Sequence, residues 1–263
     1  MLRYREGAFT ERADLVAGEE PLEIRLGGES LTVTMRTAGH DVELVHGFLY
    51  AEGLIRRSED VSVMRYCDGV DDEGRNTYNV LDVQLAGPAP AAVRAASRAF
   101  VTSSSCGVCG KASIEALALR TRHRLPEDLR FHPDVLTAAP EKLRTGQKTF
   151  ATTGGIHGAA LLSPAGTLRL IREDIGRHNA TDKVIGHQLL AGASAEGLVL
   201  AVSGRIGYEI VQKAVLAGVV AVVAVGAPSS LAVELARDFG LTVAGWVRGD
   251  RMVLHATPER ITG

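Results

Sequence analysis

The order of predicted strands and helices indicates an α/β protein whose second half forms the larger core. In that half, single predicted helices separate three apolar strands at residues 198–203, 219–225 and 241–247. Strands joined in this way usually form right-handed crossovers and pair in parallel. Of the 263 residues, 46% are apolar, which is enough to build a substantial core. We therefore expect a mixed, mostly parallel sheet, preceded by a smaller α+β region.

The first hundred residues contain signals for both strands and helices. Two alternating segments flank the turn-like residues 27–30 and predict a hairpin. A second pair of strands is expected around an acidic turn near residue 70, and Gly53 is a plausible helix stop. The predicted elements are strands 22–26, 31–37, 61–67 and 76–85 and helices 41–50, 91–100 and 113–123.

A polar stretch with several prolines, residues 125–140, predicts the joint between two domains. We accordingly expect an α+β region over residues 1–125 and an α/β domain over residues 126–263. The second domain should begin with a hairpin, because residues 157–164 and 167–174 alternate around a short turn. Its helices are predicted at 175–190, 208–218 and 230–240.

Charge and hydropathy exclude several functional classes. Lysine and arginine number 29 against 31 acidic residues, with no long basic run, so the sequence does not favour nucleic-acid binding. The amino terminus lacks the apolar core of a signal peptide, and the longest apolar run, 214–227, is too short to span a membrane. Three cysteines cannot build a secreted disulfide framework. We therefore expect a cytoplasmic protein with reduced thiols and no membrane contact.

The ends of the three parallel strands form the first candidate binding region. Since the carboxyl ends of parallel strands share one edge of a sheet, ligands commonly bind there. Glycines and serines would allow close backbone approach at this edge, and arginines would add charged donors. We expect an anionic ligand that carries phosphate; the alternative is a set of ordinary strand-to-helix turns. The segments are 203–205, which includes Ser203, Gly204 and Arg205, 226–230, which includes Ser229, and 245–248.

Cys106 and Cys109 form the second candidate, within the run Ser103–Lys111. A structural zinc site would need a second such pair, which the chain lacks, and a thioredoxin-like pair would follow a strand rather than an Ala-rich helix. If a helix begins near Lys111, its positive end and the ammonium group would favour a reactive thiolate. An inert buried pair remains the alternative. Cys67, at the end of a predicted strand, is expected to be a small apolar filler.

Two further motifs carry weaker signals. His178 lies four residues from both Asp174 and Asp182, so a helix would place the three on one face and could orient a titrating imidazole. Glu173 and Asp174 are expected to cap the start of that helix. The turn 152–157 ends in His157, for which a structural role is favoured.

Taken together, these segments resemble the FdhD family of formate dehydrogenase accessory sulfurtransferases. The resemblance extends over about residues 20 to 255, and its ordered blocks are far more specific than a lone cysteine pair. The blocks are MRTAGHDVELVHGFLYAEG, the CGVCG turn, TGGIH, EDIGRHNATDK, SGRIGYEIVQKA and APSSLAVELARDFGLTVAGWVR.

The resemblance implies a sulfur carrier in molybdenum cofactor maturation. Family members accept sulfur from a cysteine desulfurase and pass it to the bis-molybdopterin guanine dinucleotide form of the cofactor, which formate dehydrogenase requires. Cys106 matches the persulfide-carrying cysteine, with Cys109 as its helper. The cofactor-binding segment matches Trp246, Val247, Arg248, Gly249, Asp250 and Arg251, and the guanosine diphosphate arms suit the strand-end edge. The family implies a homodimer, with the molybdenum cofactor as substrate and no metal of the protein's own.

The family fold resembles the three-layer cytidine deaminase core with an added amino-terminal region. This chain lacks the catalytic glutamate and zinc-binding pattern of the deaminases, so deamination does not carry over. Family members often have phenylalanine where this chain has Trp246, and we expect this side chain to pack near a guanine ring. The alternative function is a dithiol redox protein or cofactor chaperone that binds a guanine nucleotide without transferring sulfur.

Overall fold

The computed structural model describes residues 1–67, 69–70, 73–87, 125–126 and 128–262. Cys106, Cys109 and the helices predicted at 91–100 and 113–123 lie outside these residues. An antiparallel hairpin, β1 (Leu2–Arg5) with β2 (Ala8–Glu11), forms the amino terminus. The remaining described strands form one sheet of four strands and one of six.

The four-stranded sheet has the order β4-β3-β6-β5 and packs against helix α1 (Asp41–Ala51). The predicted hairpin β3–β4 is confirmed, β5 pairs antiparallel with β6, and β3 pairs parallel with β6. Leu44, Val45 and Leu49 recur at helical spacing on α1, and all three are buried in the core beside the sheet. The strands are β3 (Glu20–Leu26), β4 (Glu29–Arg36), β5 (Val61–Tyr66) and β6 (Val80–Leu85).

The six-stranded sheet has the order β12-β11-β10-β9-β7-β8. Strands β9, β10 and β11 pair in parallel as predicted, and the hairpin β7–β8 is also confirmed. The sheet is mixed, but the expectation of a mostly parallel sheet is wrong, because β7 also pairs antiparallel with β9, and β12 with β11. The strands are β7 (His157–Leu162), β8 (Leu168–Asp174), β9 (Val199–Val202), β10 (Ala221–Ala224), β11 (Thr242–Arg248) and β12 (Arg251–Ala256).

Beyond α1, which was predicted at residues 41–50, three further helices follow the predictions and three short ones were not predicted. Residues 125–140, predicted to be a polar joint, contain one short helix and the start of another, and Leu136 and Ala139 from this region are buried in the main core. The helices are α2 (Pro133–Thr137), α3 (Ala139–Gly146), α4 (Lys148–Thr153), α5 (Arg177–Leu190), α6 (Tyr208–Leu216) and α7 (Ser230–Asp238).

Both faces of the six-stranded sheet are covered at its centre. Every residue of β9 and β10 is buried, and successive side chains of a strand point to opposite faces. The buried apolar residues form two clusters, one from residues 22–83 and one from residues 125–256.

The domain boundary and the cytidine deaminase comparison stay predictions. In the part of the chain that the structure describes, no helix is both long enough and apolar enough to cross a membrane.

Helices α1 and α5 touch through their backbones at two glycines. A Cβ atom on Gly186 would overlap the carbonyl oxygen of Glu43, and one on Gly47 would overlap that of Asp182. The two helices join the smaller cluster to the larger one, so this contact also sets the position of the four-stranded sheet. Only glycine allows so close an approach.

Gly186→Ala is therefore expected to destabilise the protein by about 3 kcal/mol, because the added methyl meets backbone that cannot rotate away. Urea unfolding measures the loss of free energy. Gly18→Ala is the matched control, since a Cβ atom at Gly18 has no neighbour within 4 Å. Equal unfolding midpoints for the two variants would contradict the backbone contact.

Candidate functional site

A cavity of about 870 Å³ opens at the carboxyl ends of the parallel strands. The ends of β9 and β11 and the residue after β10 form one wall, and helices α2 to α4 with the turn after α4 form the other. This is the edge at which a ligand was expected. The strand-end lining residues are Val202, Ser203, Val225, Val247, Arg248 and Gly249, and the helical wall includes Ala138, Leu143, Gln147, Phe150 and Ile156.

Four of the residues expected to bind cofactor line this cavity: Ser203, Val247, Arg248 and Gly249. The β11–β12 turn explains the grouping of the last three. Gly249 adopts a φ of 58°, so the chain reverses within two residues and β12 runs back along β11. Val247 is buried, whereas Arg248 is exposed at the mouth.

Three more of the expected residues lie beside the cavity, not in it. Trp246, Asp250 and Arg251 line a neighbouring groove of about 670 Å³, and Arg248 borders both spaces. Successive side chains of a strand point to opposite sides, and β11 also has an irregular register between Gly245 and Arg248. Trp246 has a φ of 55° and is 51% exposed, so its ring offers an open face.

The last three expected residues do not line either space. Gly204 lies directly against His157 and Arg177, where a Cβ atom would come within 3.2 to 3.4 Å of their side chains. The Ser229 hydroxyl accepts a hydrogen bond from the Ala232 amide (3.3 Å) and so caps α7. The Arg205 side chain is exposed.

The sequence interpretation missed the helical wall, which comes from residues 137–150. Leu136, Ala139 and Leu143 recur at spacings of three and four and are fully or almost fully buried. That pattern predicts an amphipathic helix, so the signal was present in the sequence. The prolines and charged residues of the segment suggested a joint instead, although proline is well tolerated in the first turn of a helix.

Two polar residues of the cavity lining, Ser203 and His157, form a hydrogen-bonded pair. The Ser203 hydroxyl accepts a bond from the Gly158 amide (2.9 Å) and lies 3.1 Å from Nδ1 of His157. Burial lowers the pKa of His157, and the nearby Arg177 guanidinium lowers it further. The imidazole is therefore neutral at pH 7. His157 has the structural partner expected of it, yet it also borders the ligand space.

The expected arrangement of Asp174, His178 and Asp182 on one helix face is wrong. Asp174 lies at the end of β8, before α5 begins, so helical spacing does not apply to it. It forms a buried ion pair with Lys183 (2.7 Å), and Asp182 forms one with Lys213 (2.6 Å). Nδ1 of His178 is instead 3.2 Å from the Glu209 carboxylate.

Glu173 does cap a helix, but a different one from that predicted. Its two carboxylate oxygens accept hydrogen bonds from the backbone amides of Thr149 (2.9 Å) and Phe150 (2.8 Å), in the first turn of α4. Asp174 accepts a bond from the Gly176 amide (2.9 Å) just before α5. The two Glu173 bonds tie the helical wall of the cavity to the edge strand β8.

His178 is expected to stay neutral until the pH falls to about 4. Burial lowers its pKa to about 4, although the Glu209 carboxylate opposes the shift. The unfolded ring has a pKa near 6.5, so the unfolded chain takes up the proton first and folding stability falls as the pH drops from about 6.5 to about 4. NMR titration of the ring protons measures this midpoint. Glu209→Gln should lower the midpoint further; a midpoint at or above 6.5 in the native chain would contradict the burial.

Of the three cysteines singled out in the sequence, Cys106 and Cys109 lie outside the described residues. Cys67 is a free, half-buried thiol after β5. It lies on the four-stranded sheet, near Arg25, and does not border the cavity.

Comparison with known proteins adds to this geometry. A sulfur carrier protein FdhD from Nocardia farcinica is 51% identical over 263 residues, covering 99% of this chain and 93% of that protein. The sulfur carrier protein FdhD of Streptomyces avermitilis is 45% identical and covers 99% of this chain and 94% of its own length.

A solved structure has the same fold along the whole chain. It is the crystal structure of a protein from Desulfotalea psychrophila assigned as a formate dehydrogenase accessory protein, with a TM-score of 0.75, 24% identity, and coverage of 100% of this chain and 97% of that one. A sequence model of the FdhD/NarQ family matches residues 17–262, which include both walls of the cavity. The chain that builds this cavity is therefore a member of the FdhD/NarQ family.

Proposed function

We propose that this protein is a sulfur carrier that loads sulfur onto Cys106 from a cysteine desulfurase and transfers it to the molybdenum cofactor of formate dehydrogenase. The relatives named sulfur carrier proteins support the sulfur transfer, and the accessory protein with the same fold supports formate dehydrogenase as the recipient. The substrate in this proposal is the bis-molybdopterin guanine dinucleotide form of the cofactor. A homodimer is part of the proposal.

The cavity at the strand ends is the observation that carries the proposal. It is large, mainly apolar, and bordered by arginines that make no ion pair among the described residues, namely Arg248 and, in the adjoining groove, Arg251. Apolar walls suit the faces of a purine or pterin ring, and guanidinium groups suit phosphate. In this proposal Trp246 packs near the guanine ring from the groove side.

The first chemical step is a thiol exchange. The Cys106 thiolate attacks the terminal sulfur of the donor's persulfide, the donor's S–S bond breaks, and the donor cysteine leaves as a thiolate. Cys106 then carries one additional sulfur atom as a persulfide. This exchange needs no oxidant or reductant, because one S–S bond replaces another.

Delivery of the sulfur as hydrosulfide requires two electrons, which Cys106 and Cys109 would supply together as they become a disulfide. Its thiolate attacks the inner sulfur of the Cys106 persulfide, a Cys106–Cys109 disulfide forms, and hydrosulfide leaves toward the cofactor. A cellular thiol reductant then restores both cysteines. In the other route, Cys109 takes over the sulfane sulfur before delivery.

Intact-protein mass after incubation with a cysteine desulfurase and cysteine tests the proposal. A gain of one sulfur atom, about 32 Da, that is lost in Cys106→Ala supports the sulfur carrier. Formation of a Cys106–Cys109 disulfide alone would identify a dithiol redox protein instead. Guanine-nucleotide binding with no mass change, together with full formate dehydrogenase activation by both cysteine variants, would identify a chaperone.

A further inference from the structure

Gln147 is a buried polar side chain in the wall of the cavity. It lies at the junction of α3 and α4, is 3% exposed, and borders the ligand space. Glutamine is rarely so buried unless its amide is hydrogen-bonded. Its Nε2 nevertheless has no hydrogen-bond partner in the part of the chain that the structure describes.

The other polar side chains of the lining are either engaged or open to water. Ser203 and His157 bond to each other, and the Thr137 hydroxyl donates to the Pro133 carbonyl oxygen (3.3 Å). Glu141 and Arg144 form an exposed two-pronged pair (2.7 and 2.9 Å), and Arg248 is exposed at the mouth. Within the described lining, Gln147 is thus the buried polar side chain left without a partner.

Gly158 of β7 holds the amide in place. A Cβ atom on Gly158 would lie 2.7 Å from both Cδ and Nε2 of Gln147, so the amide packs directly on the strand backbone. The Gly158 amide donates to the Ser203 hydroxyl and its carbonyl oxygen accepts from the Ser203 amide (3.0 Å), so both backbone groups of Gly158 are already bonded to Ser203 and not to Gln147. A side chain fixed in this way, with the donor capacity of its Nε2 unused, is prepared for a bound molecule.

We propose that the Gln147 carboxamide forms hydrogen bonds to one edge of the substrate's fused ring, the edge that carries a carbonyl oxygen and a ring N–H. Guanine and pterin share this edge, with a carbonyl oxygen beside a ring N–H. One carboxamide can complement both groups, because it donates through nitrogen and accepts through oxygen. Leu143, Ile156 and Val202 supply apolar surface beside it for the ring faces. This assignment rests on the proposed function and adds the residue that selects the ring.

Nucleotide binding to Gln147→Met tests the assignment. Methionine keeps the length of the side chain but removes both hydrogen-bonding groups. The native chain should bind GDP more tightly than ADP, and the variant should lose about tenfold in GDP affinity while ADP and pyrophosphate binding change less than twofold. Because the variant also removes an unsatisfied buried amide, its melting temperature without ligand should be unchanged or higher, which a merely structural role would not produce.

A pterin probe distinguishes whether Gln147 binds the guanine ring or the pterin ring of the substrate. A loss confined to GDP assigns Gln147 to the guanine, and a loss confined to 6-hydroxymethylpterin assigns it to the pterin; either result supports ring reading. Gln84→Met is the matched control, since this glutamine is exposed on β6 and does not line the cavity. Gly158→Ala should reproduce the loss, because its methyl displaces the amide.

Unchanged GDP and pterin affinities in Gln147→Met, or an equal loss for pyrophosphate, would overturn the assignment and leave the proposed function intact. If the native chain binds neither GDP nor the pterin, the proposed substrate site fails together with the assignment. Sulfur loading of Cys106, measured by mass in the same variant, should remain unchanged, which separates the ring site from the carrier step.

Discussion

Replacing Cys106 with alanine is expected to abolish activation of formate dehydrogenase. Alanine can neither attack the donor persulfide nor hold the sulfur, and removal of a nucleophile commonly lowers activity by several orders of magnitude. We expect at least about a hundredfold loss. Formate dehydrogenase activity in a bacterial strain that lacks its own copy of this protein measures the effect, with the variant supplied on a plasmid.

The other two cysteines serve as comparisons. Cys67→Ala should keep full activity, because this thiol lies on the four-stranded sheet and away from the cavity. Cys109→Ala should retain partial activity if another thiol can release the sulfur. Full activity of Cys106→Ala, with the variant present at native levels, would contradict the proposed role of Cys106 as carrier.

Replacing Lys183 with methionine is expected to destabilise the protein by about 3–5 kcal/mol. The Lys183 ammonium and the Asp174 carboxylate are 2.7 Å apart, and both side chains are almost wholly buried. The ammonium also donates to the carbonyl oxygens of Thr37 (2.9 Å) and Glu173 (3.2 Å). Methionine would leave the Asp174 charge without its cation in the interior.

Chemical denaturation of Lys183→Met measures this loss. Combining it with Asp174→Asn should recover part of the stability, because the uncompensated charge is then removed. Arg57→Ala is the control for a surface pair: its partner Asp60 lies 3.2 Å away, but the arginine side chain is 75% exposed, and we expect a loss of at most about 1 kcal/mol. Equal losses for Lys183→Met and Arg57→Ala would contradict the account of the buried pair.

Most strands and helices could be predicted because their patterns are local. The alternation of apolar strands with single helices between residues 198 and 247 predicted β9 to β11 and their parallel pairing. Strand β12 was missed, because residues 251–256 mix charged and apolar residues on a partly exposed edge. The pairing of β7 with β9 is not local, since 36 residues separate His157–Leu162 from Val199–Val202.

The sequence located the site only on its strand side, although it also held the signal for the helices of the other wall. The rule that ligands bind at the ends of parallel strands located Ser203 and Arg248, which do line the cavity. Gln147 could not be found this way, because only tertiary packing on Gly158 brings its helical segment to the site. The interpretation of Asp174 failed for a related reason: a spacing of four residues has meaning only where both residues belong to one helix.

Transfer of labelled sulfur tests the central claim most directly. The native chain is loaded with ³⁵S from labelled cysteine by a cysteine desulfurase, separated from free label, and mixed with the molybdenum cofactor and apo-formate dehydrogenase. We predict that the label leaves Cys106, enters the cofactor, and appears together with enzyme activity. Activation of formate dehydrogenase while the label stays on the protein would contradict the account.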